Sequence, residues 1–396
     1  MSRLPRGCTN VGGHLASSMQ RCRSEMISLM HSYGYQTFWP SALQLLETAW
    51  DRLPSSLRKR LITLNTPFAE PCCLRADITL AAVSYLSSHF SPEERPLRLC
   101  YADRIYKTPV RPDTYLEGFQ VGAELLGWEG DGADTELIFL LLQSMDMVGV
   151  EDSFLVLGDV TFLQDLLFDI DKEIAKALVS ALEKGSYAEY YSLLKLGRIN
   201  TAQAEKLSRV PSLKGNMEIL DEAERLLDDR GSLRSLRKIL SSLAEMGFKD
   251  RIKVDLSLVR ELNYYSGPIF DIYTRRHGRS LGGGGRYDGL LSGYGILGQA
   301  IGFAIDLELI ASFSKYTEVE PSVMIWAGGL STGDVIAQAE EIRVKGHSIE
   351  ISWTPSREDS IHLAKMRGLT FWIELPESKV IDMNTGLATN LAKWVE

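Results

Sequence analysis

The hydrophobic pattern of this chain changes period twice, and that double change limits the folds open to it. Before residue 161 apolar and polar residues alternate in several stretches, whereas from Thr161 to about Phe248 the apolar residues recur at every third or fourth position. Met217, Leu220, Ala223 and Leu227 form one such helical stripe, and Leu233, Leu236, Leu240 and Leu243 form another. Alternation returns at Arg251, where Ile252, Val254 and Leu256 are interleaved with Lys253, Asp255 and Ser257. The strands predicted at 97–102 and 117–126 therefore belong with those at 252–256, 268–274 and 300–307 in one sheet, interrupted by a helical insertion at about 161–248. Further strands are predicted at 35–39 and 74–79, and a helix at 16–33 places Met19, Cys22, Met26, Leu29 and Met30 on one face before Gly34 stops it. The pattern is α+β with an antiparallel sheet rather than regular βαβ winding. After a polar stretch at 314–321, a strand at 323–326, a helix at 334–344 and a strand at 348–352 predict a small C-terminal α/β domain, giving units at 1–314 and 321–396.

Composition narrows the class. At 396 residues the chain exceeds a usual single domain, and no stretch approaches the roughly 18 consecutive apolar residues of a membrane span. Arg3 and Arg6 precede no apolar run of signal-peptide length, which predicts a cytoplasmic protein without membrane attachment. The five cysteines, Cys8, Cys22, Cys72, Cys73 and Cys100, are odd in number and include no CxxC pair, so neither a disulfide framework nor a metal site is expected. With 52 acidic against 43 basic side chains the net charge is −9, a poor footprint for binding phosphate backbones.

Walker A and HExxH sequences are missing, and no cofactor is expected. Gly329-Leu330-Ser331-Thr332-Gly333 does match GxSxG between a predicted strand and a predicted helix, the setting of a nucleophile elbow. A hydrolase using Ser331 is a remote alternative, because only 65 residues follow Ser331 to hold His347, His362 and the rest of a sheet. A glycine-rich turn into a helix explains the same residues.

Four short segments carry more information. In Phe119-Gln120-Val121-Gly122-Ala123-Glu124-Leu125 strict alternation puts Gln120 and Glu124 on one strand face with Gly122 between them, which predicts a groove floored by glycine. Asp77 and Thr79 project together from Leu74-Arg75-Ala76-Asp77-Ile78-Thr79, where both also suit a helix start. Arg260, Tyr264 and Tyr265 fall at a strand end, and the four consecutive glycines Gly282 to Gly285 weaken a strand unless a backbone or a ligand must approach closely. Carboxylates and an amide oxygen for an ammonium, a guanidinium for a carboxylate and phenols for a polar ring suit a small zwitterion. No nucleophile stands beside a base, so no catalytic residue is predicted.

The order of these segments, with Gly284-Gly285-Arg286-Tyr287-Asp288-Gly289-Leu290 and Ile301-Gly302-Phe303-Ala304, resembles the catalytic domain of histidyl-tRNA synthetases. The resemblance covers about residues 4 to 310 and implies the class II aminoacyl-tRNA synthetase fold, an antiparallel sheet flanked by helices; the tail resembles an anticodon-binding domain. Residues 34–40 are similar to the family's motif 1, which implies a homodimer interface. By the same resemblance Asp77, Thr79, Gln120, Glu124, Arg260, Tyr264 and Tyr265 would bind histidine. The two arginines that read ATP in the synthetases are replaced by Lys107 and Leu309; lysine loses the bidentate fork, and leucine loses the charge as well. That combination resembles the regulatory subunits of ATP phosphoribosyltransferase, synthetase paralogues of histidine biosynthesis. It implies a subunit of a glycosyltransferase complex that has no catalysis of its own, takes histidine as effector and pairs with the short-form catalytic subunit in a hetero-oligomer. It implies no tRNA ligand. The chain departs from the pattern at Leu80 and Ala81, where Pro-Gln is common in that family, and at Asp77, where the synthetases have Glu. The alternative is a true or degenerate histidyl-tRNA synthetase.

Overall fold

The computed structural model describes residues 4–109, 115–196, 198–227, 231–259, 264–317 and 323–395. It divides into two units, Met1–Thr317 and Glu318–Glu396.

The strands of the first unit are β1 (Gln36–Thr37), β2 (Leu43–Leu45), β3 (Thr63–Asn65), β4 (Pro71–Leu74), β5 (Leu97–Tyr106) and β6 (Glu117–Leu126), followed by β7 (Ser153–Asp159) and β8 (Lys214–Gly215). They continue with β9 (Ile252–Asp255), β10 (Pro268–Thr274), β11 (Gly282–Arg286) and β12 (Ala300–Asp306). Nine of them form one sheet in the order β1-β5-β6-β12-β11-β10-β7-β9-β8, while β2, β4 and β3 form a small separate sheet. The long strands pair antiparallel, as expected, but β1 runs parallel to β5 and β7 parallel to β9, so the sheet is mixed. The β7 to β9 pair is parallel because the helical insertion lies between them, and a parallel pair needs a long crossover that a hairpin cannot supply. The insertion also contributes the short strand β8, which its helical periodicity does not announce.

Alternation along β6 deals Val121, Ala123 and Leu125 to one face and Gln120, Gly122 and Glu124 to the other. The first face joins a core with Met19, Cys22, Met26 and Met30 of the helix Gly13–Ser32, and with the helix Asp131–Met147. The second face carries a separate core containing Tyr101, Leu126, Tyr287 and the helix Thr79–His89. The strand expected at 74–79 ends at Leu74 instead. Arg75 is buried and holds three groups, the Pro40 carbonyl, the Arg104 carbonyl at 2.7 Å and the Asp103 carboxylate at 2.7 Å. Asp77 then accepts the Leu80 N–H at 3.1 Å, so the chain turns into a helix where the side chain can satisfy an otherwise orphaned donor.

The second unit has β13 (Val323–Trp326), β14 (Ile349–Ser352), β15 (Phe371–Glu374), β16 (Lys379–Asp382) and β17 (Ala388–Asn390) in the order β14-β13-β15-β16-β17. β14 and β15 flank β13 in parallel, and helices Thr332–Val344 and Arg357–Met366 complete the α/β pattern. Ser331 is the N-cap of the first of these helices: its Oγ accepts the Asp334 N–H at 3.2 Å and donates to the Asp334 carboxylate at 2.7 Å. No histidine is among its partners in the described residues, so the GxSxG match is a capped turn and the hydrolase reading falls.

Candidate functional site

A cavity of about 710 Å3 opens on the sheet face that carries Gln120. Five of the seven residues singled out in the sequence line it: Asp77, Thr79, Gln120, Tyr264 and Tyr265. Arg260 lies outside the described residues. Glu124 is completely buried beneath the cavity rather than facing it. Its carboxylate accepts three hydroxyls, from Thr79 at 2.8 Å and Tyr101 at 3.2 Å on Oε1 and from Tyr287 on Oε2. Burial pushes this carboxyl up to about 8, and the three hydroxyl donors oppose the rise. Room for the carboxylate comes from Gly302, the partner of Glu124 in the β6–β12 register, where a Cβ would stand 1.6 Å from Oε2.

The glycine-floored groove between Gln120 and Glu124 is not open. Tyr101, the neighbour of Gly122 on β5, fills it, and a Cβ at Gly122 would meet the Tyr101 hydroxyl at 2.5 Å and the Phe303 carbonyl at 2.3 Å. The four glycines of β11 do line the cavity, but at Gly282, Gly284 and Gly285 the first cause is the neighbouring backbone. A Cβ at Gly284 would stand 1.9 Å from the Gly302 carbonyl, and one at Gly282 would stand 2.3 Å from that of Ala304. Gly285 meets an aromatic as well, with Tyr265 2.9 Å from the same hypothetical atom.

The cavity is acidic, since Asp271, Asp306 and Glu183 line it together with Asp77. Asp77 and Asp306 each cap a helix, Asp306 by accepting the Leu309 N–H at 3.0 Å. Burial raises both carboxyls, while the cap bonds and the charge of Lys107 pull them back down. Burial and the charge of Arg60 lower Lys107, against the pull of Asp77 and Asp306. Tyr264 stacks on Tyr287 at 6.0 Å and meets Tyr265 edge-on at 4.9 Å. The Gln120 Oε1 is buried with no hydrogen-bond partner among the described residues, an acceptor at the cavity wall that lacks a donor. Carboxylates, an unfilled amide acceptor and stacked phenols suit a donor-rich, cationic, partly aromatic ligand, and nothing in the set is a nucleophile activated by a base.

The family model for histidyl-tRNA synthetase matches residues 7–310. The chain is 31% identical to the ATP phosphoribosyltransferase regulatory subunit of Shouchella clausii over 81% of this chain and 83% of that protein. It is 30% identical to that of Thioalkalivibrio sulfidiphilus over 87% and 90%. The chain belongs to the family of ATP phosphoribosyltransferase regulatory subunits. Solved structures agree on a class II fold. An ATP phosphoribosyltransferase regulatory subunit/histidyl-tRNA synthetase from Bacillus halodurans superposes with a TM-score of 0.83 at 23% identity, covering 94% of this chain and 97% of that one. The histidyl-tRNA synthetase of Nostoc also gives 0.83, at 17% identity over 99% and 98%.

In this regulatory subunit the two positions that depart from the synthetases have different fates. The Lys107 charge is shared by Asp77 and Asp306. Leu309 contributes its backbone N–H to the Asp306 cap and packs its side chain against the main core. Neither supplies a guanidinium to the cavity. Three site residues fall outside the set of seven: Tyr101 and Tyr287, which hold Glu124, and Asp306. Tyr287 had a signal in sequence, since it directly follows Arg286 at the end of the glycine strand. Arg286 is itself fixed by a buried ion pair to Asp134 at 2.7 Å.

Proposed function

We propose that this regulatory subunit senses histidine in the Gln120 cavity and acts on a short-form ATP phosphoribosyltransferase catalytic subunit, with no catalysis of its own. Gln120 carries the reading. Its buried, unpartnered acceptor sits in one wall with Asp77, where the α-ammonium or an imidazole N–H of histidine would supply the missing donor. Arg260 is proposed to receive the carboxylate, Thr79 to orient the ligand through Glu124, and Tyr264 and Tyr265 to pack on the imidazole. Lacking an arginine at 107 and at 309, the cavity favours the amino acid over ATP.

A ligand pocket without a reaction centre influences a pathway only by changing affinity for a partner's states, and that coupling is reciprocal. We propose a homodimer through residues 34–40 inside a cytoplasmic hetero-oligomer, with no part for tRNA or a membrane. Trp39 supports the dimer: it is 66% exposed, beside the exposed Leu43 and Leu45. No helix among the described residues is long and apolar enough to cross a membrane.

Reconstitution tests the reading. The catalytic subunit should form phosphoribosyl-ATP efficiently, and be inhibited by histidine, only with this chain present, through a coupling of about 1 to 3 kcal/mol. Gln120→Ala should weaken both histidine binding and the inhibition. Equal activity and equal inhibition of the catalytic subunit alone would sink the assignment, and histidine-dependent ATP–pyrophosphate exchange by the isolated chain would replace it with a synthetase.

A further inference from the structure

Behind Tyr264 the acidic cavity backs onto a second one, of about 420 Å3, and Tyr264 and Pro54 line both. The electrostatics reverse across that wall. The second cavity takes Arg52, Arg58 and Lys176, with Asp51 as the acid that lines it among the described residues. One helix of the insertion, Lys172–Glu183, serves both sides: Lys176 and Glu183 are seven residues apart, two turns along one face, and present opposite charges to the two cavities.

The two guanidiniums are held in place. Arg52 lies over the Tyr294 ring at 5.0 Å and across Gly293, where a Cβ would stand 2.6 Å from its Nη1. Arg58 donates its Nε to the Leu53 carbonyl at 2.7 Å, which fixes the plane of the fork and leaves its two terminal amino groups for another acceptor. None of the three cations is ion-paired to a carboxylate among the described residues. In a chain of net charge −9, a concave site with three positive groups and two fixed forks concentrates positive potential against the protein's overall sign. One carboxylate needs one fork; two forks and an ammonium match the several oxygens of a phosphate ester or a diphosphate.

We propose that this cavity binds a phosphorylated small molecule, on Arg52, Arg58 and Lys176, with Tyr264 as the wall it shares with the amino-acid pocket. The anion site stands by itself, whereas its coupling to histidine rests on the reading given under Proposed function. Calorimetric titration of the full chain with inorganic pyrophosphate at fixed ionic strength tests it, with ribose 5-phosphate to separate a phosphate ester from a diphosphate and acetate as the carboxylate control. Saturable binding is expected for at least one phosphate compound, with Kd raised tenfold or more in Arg52→Gln/Lys176→Ala and at least threefold in Lys176→Ala, whose exposed side chain is not needed for folding. Histidine affinity measured without the anion should stay within twofold in Lys176→Ala. Failure of both phosphate compounds to saturate, the same Kd in the variants, or competition by acetate as strong as by pyrophosphate would overturn the site. Histidine affinity should change at least threefold when the anion site is filled, and no change would overturn the shared wall. Histidine failing to bind in any condition would instead count against the amino-acid reading and leave the anion result standing.

Discussion

The two ends of the Gln120 cavity solve the problem of a buried carboxylate differently. At the Glu124 end a single carboxylate is dry and surrounded by three hydroxyls, with Gly302 cut back to admit it. At the Asp306 end two carboxylates are satisfied by backbone caps and share the charge of Lys107. Hydroxyl donors from three separate elements fix a side chain in one position, whereas a lysine between two capped acids balances charge without fixing geometry. The difference shows which end tolerates change. The Glu124 end is a rigid template, whereas the Asp306 end depends on the Lys107 charge more than on a fixed side-chain geometry.

Gly302→Ala attacks the rigid end most directly. A methyl 1.6 Å from the Glu124 Oε2 cannot be accommodated, and destabilisation of roughly 3 kcal/mol or more is expected in chemical denaturation. An unchanged midpoint would mean that Glu124 is free to move. Tyr287→Phe comes next. It removes a donor from a buried carboxylate, at an expected cost of about 1 to 3 kcal/mol and a similar loss in histidine affinity.

Glu124→Gln sharpens the comparison through pH. Folding lifts this carboxyl from its ordinary 4.5 to about 8, so in that window the folded chain keeps a proton that the unfolded chain has released. Stability should therefore fall as pH rises from 4.5 towards 8 and level off above it, with a slope of at most about 1.4 kcal/mol per pH unit from this group. Asp134 and Asp159, both raised to about 6 by burial, add to the fall in the lower part of the window. The Gln variant should lose the fall between 6 and 8 and show a shallower one below 6, and an identical profile in both proteins would place the titration elsewhere. The smallest effect is expected at the other end: Lys107→Arg should shift stability by less than about 1 kcal/mol and leave ATP–pyrophosphate exchange at background, because the Leu309 side chain remains in the core.

The sequence made the strands of this sheet legible and the depth of its side chains much less so. Glu117–Leu126 could be bounded to the residue, since strict alternation has no helical counterpart, and the period change located the insertion. Alternation assigns Gln120 and Glu124 to a shared face, but it does not say that Tyr101 of the next strand rises between them and closes the groove. That information lies in the β5–β6 register, which is a property of two segments together. Likewise the segment at 74–79 contains strand-forming and helix-capping residues at once, and the buried Arg75 decides in favour of the cap. The glycine run was legible as a close approach, though the approaching group is chiefly the backbone of β12.

The pairing of β6 with β12 also bears on when the site comes into being. Gln120 lies opposite Asp306, roughly 190 positions later, so contacts of very long range must close before the cavity has walls, and such contacts form slowly. On the ribosome the Glu124 cluster waits for Tyr287 and Gly302, which leave the exit tunnel only after the whole insertion has been made. A chain that stops before β12 has the strand that bears Gln120 and Glu124 but no pocket. Ligand binding at this site therefore certifies that synthesis of the first unit is complete.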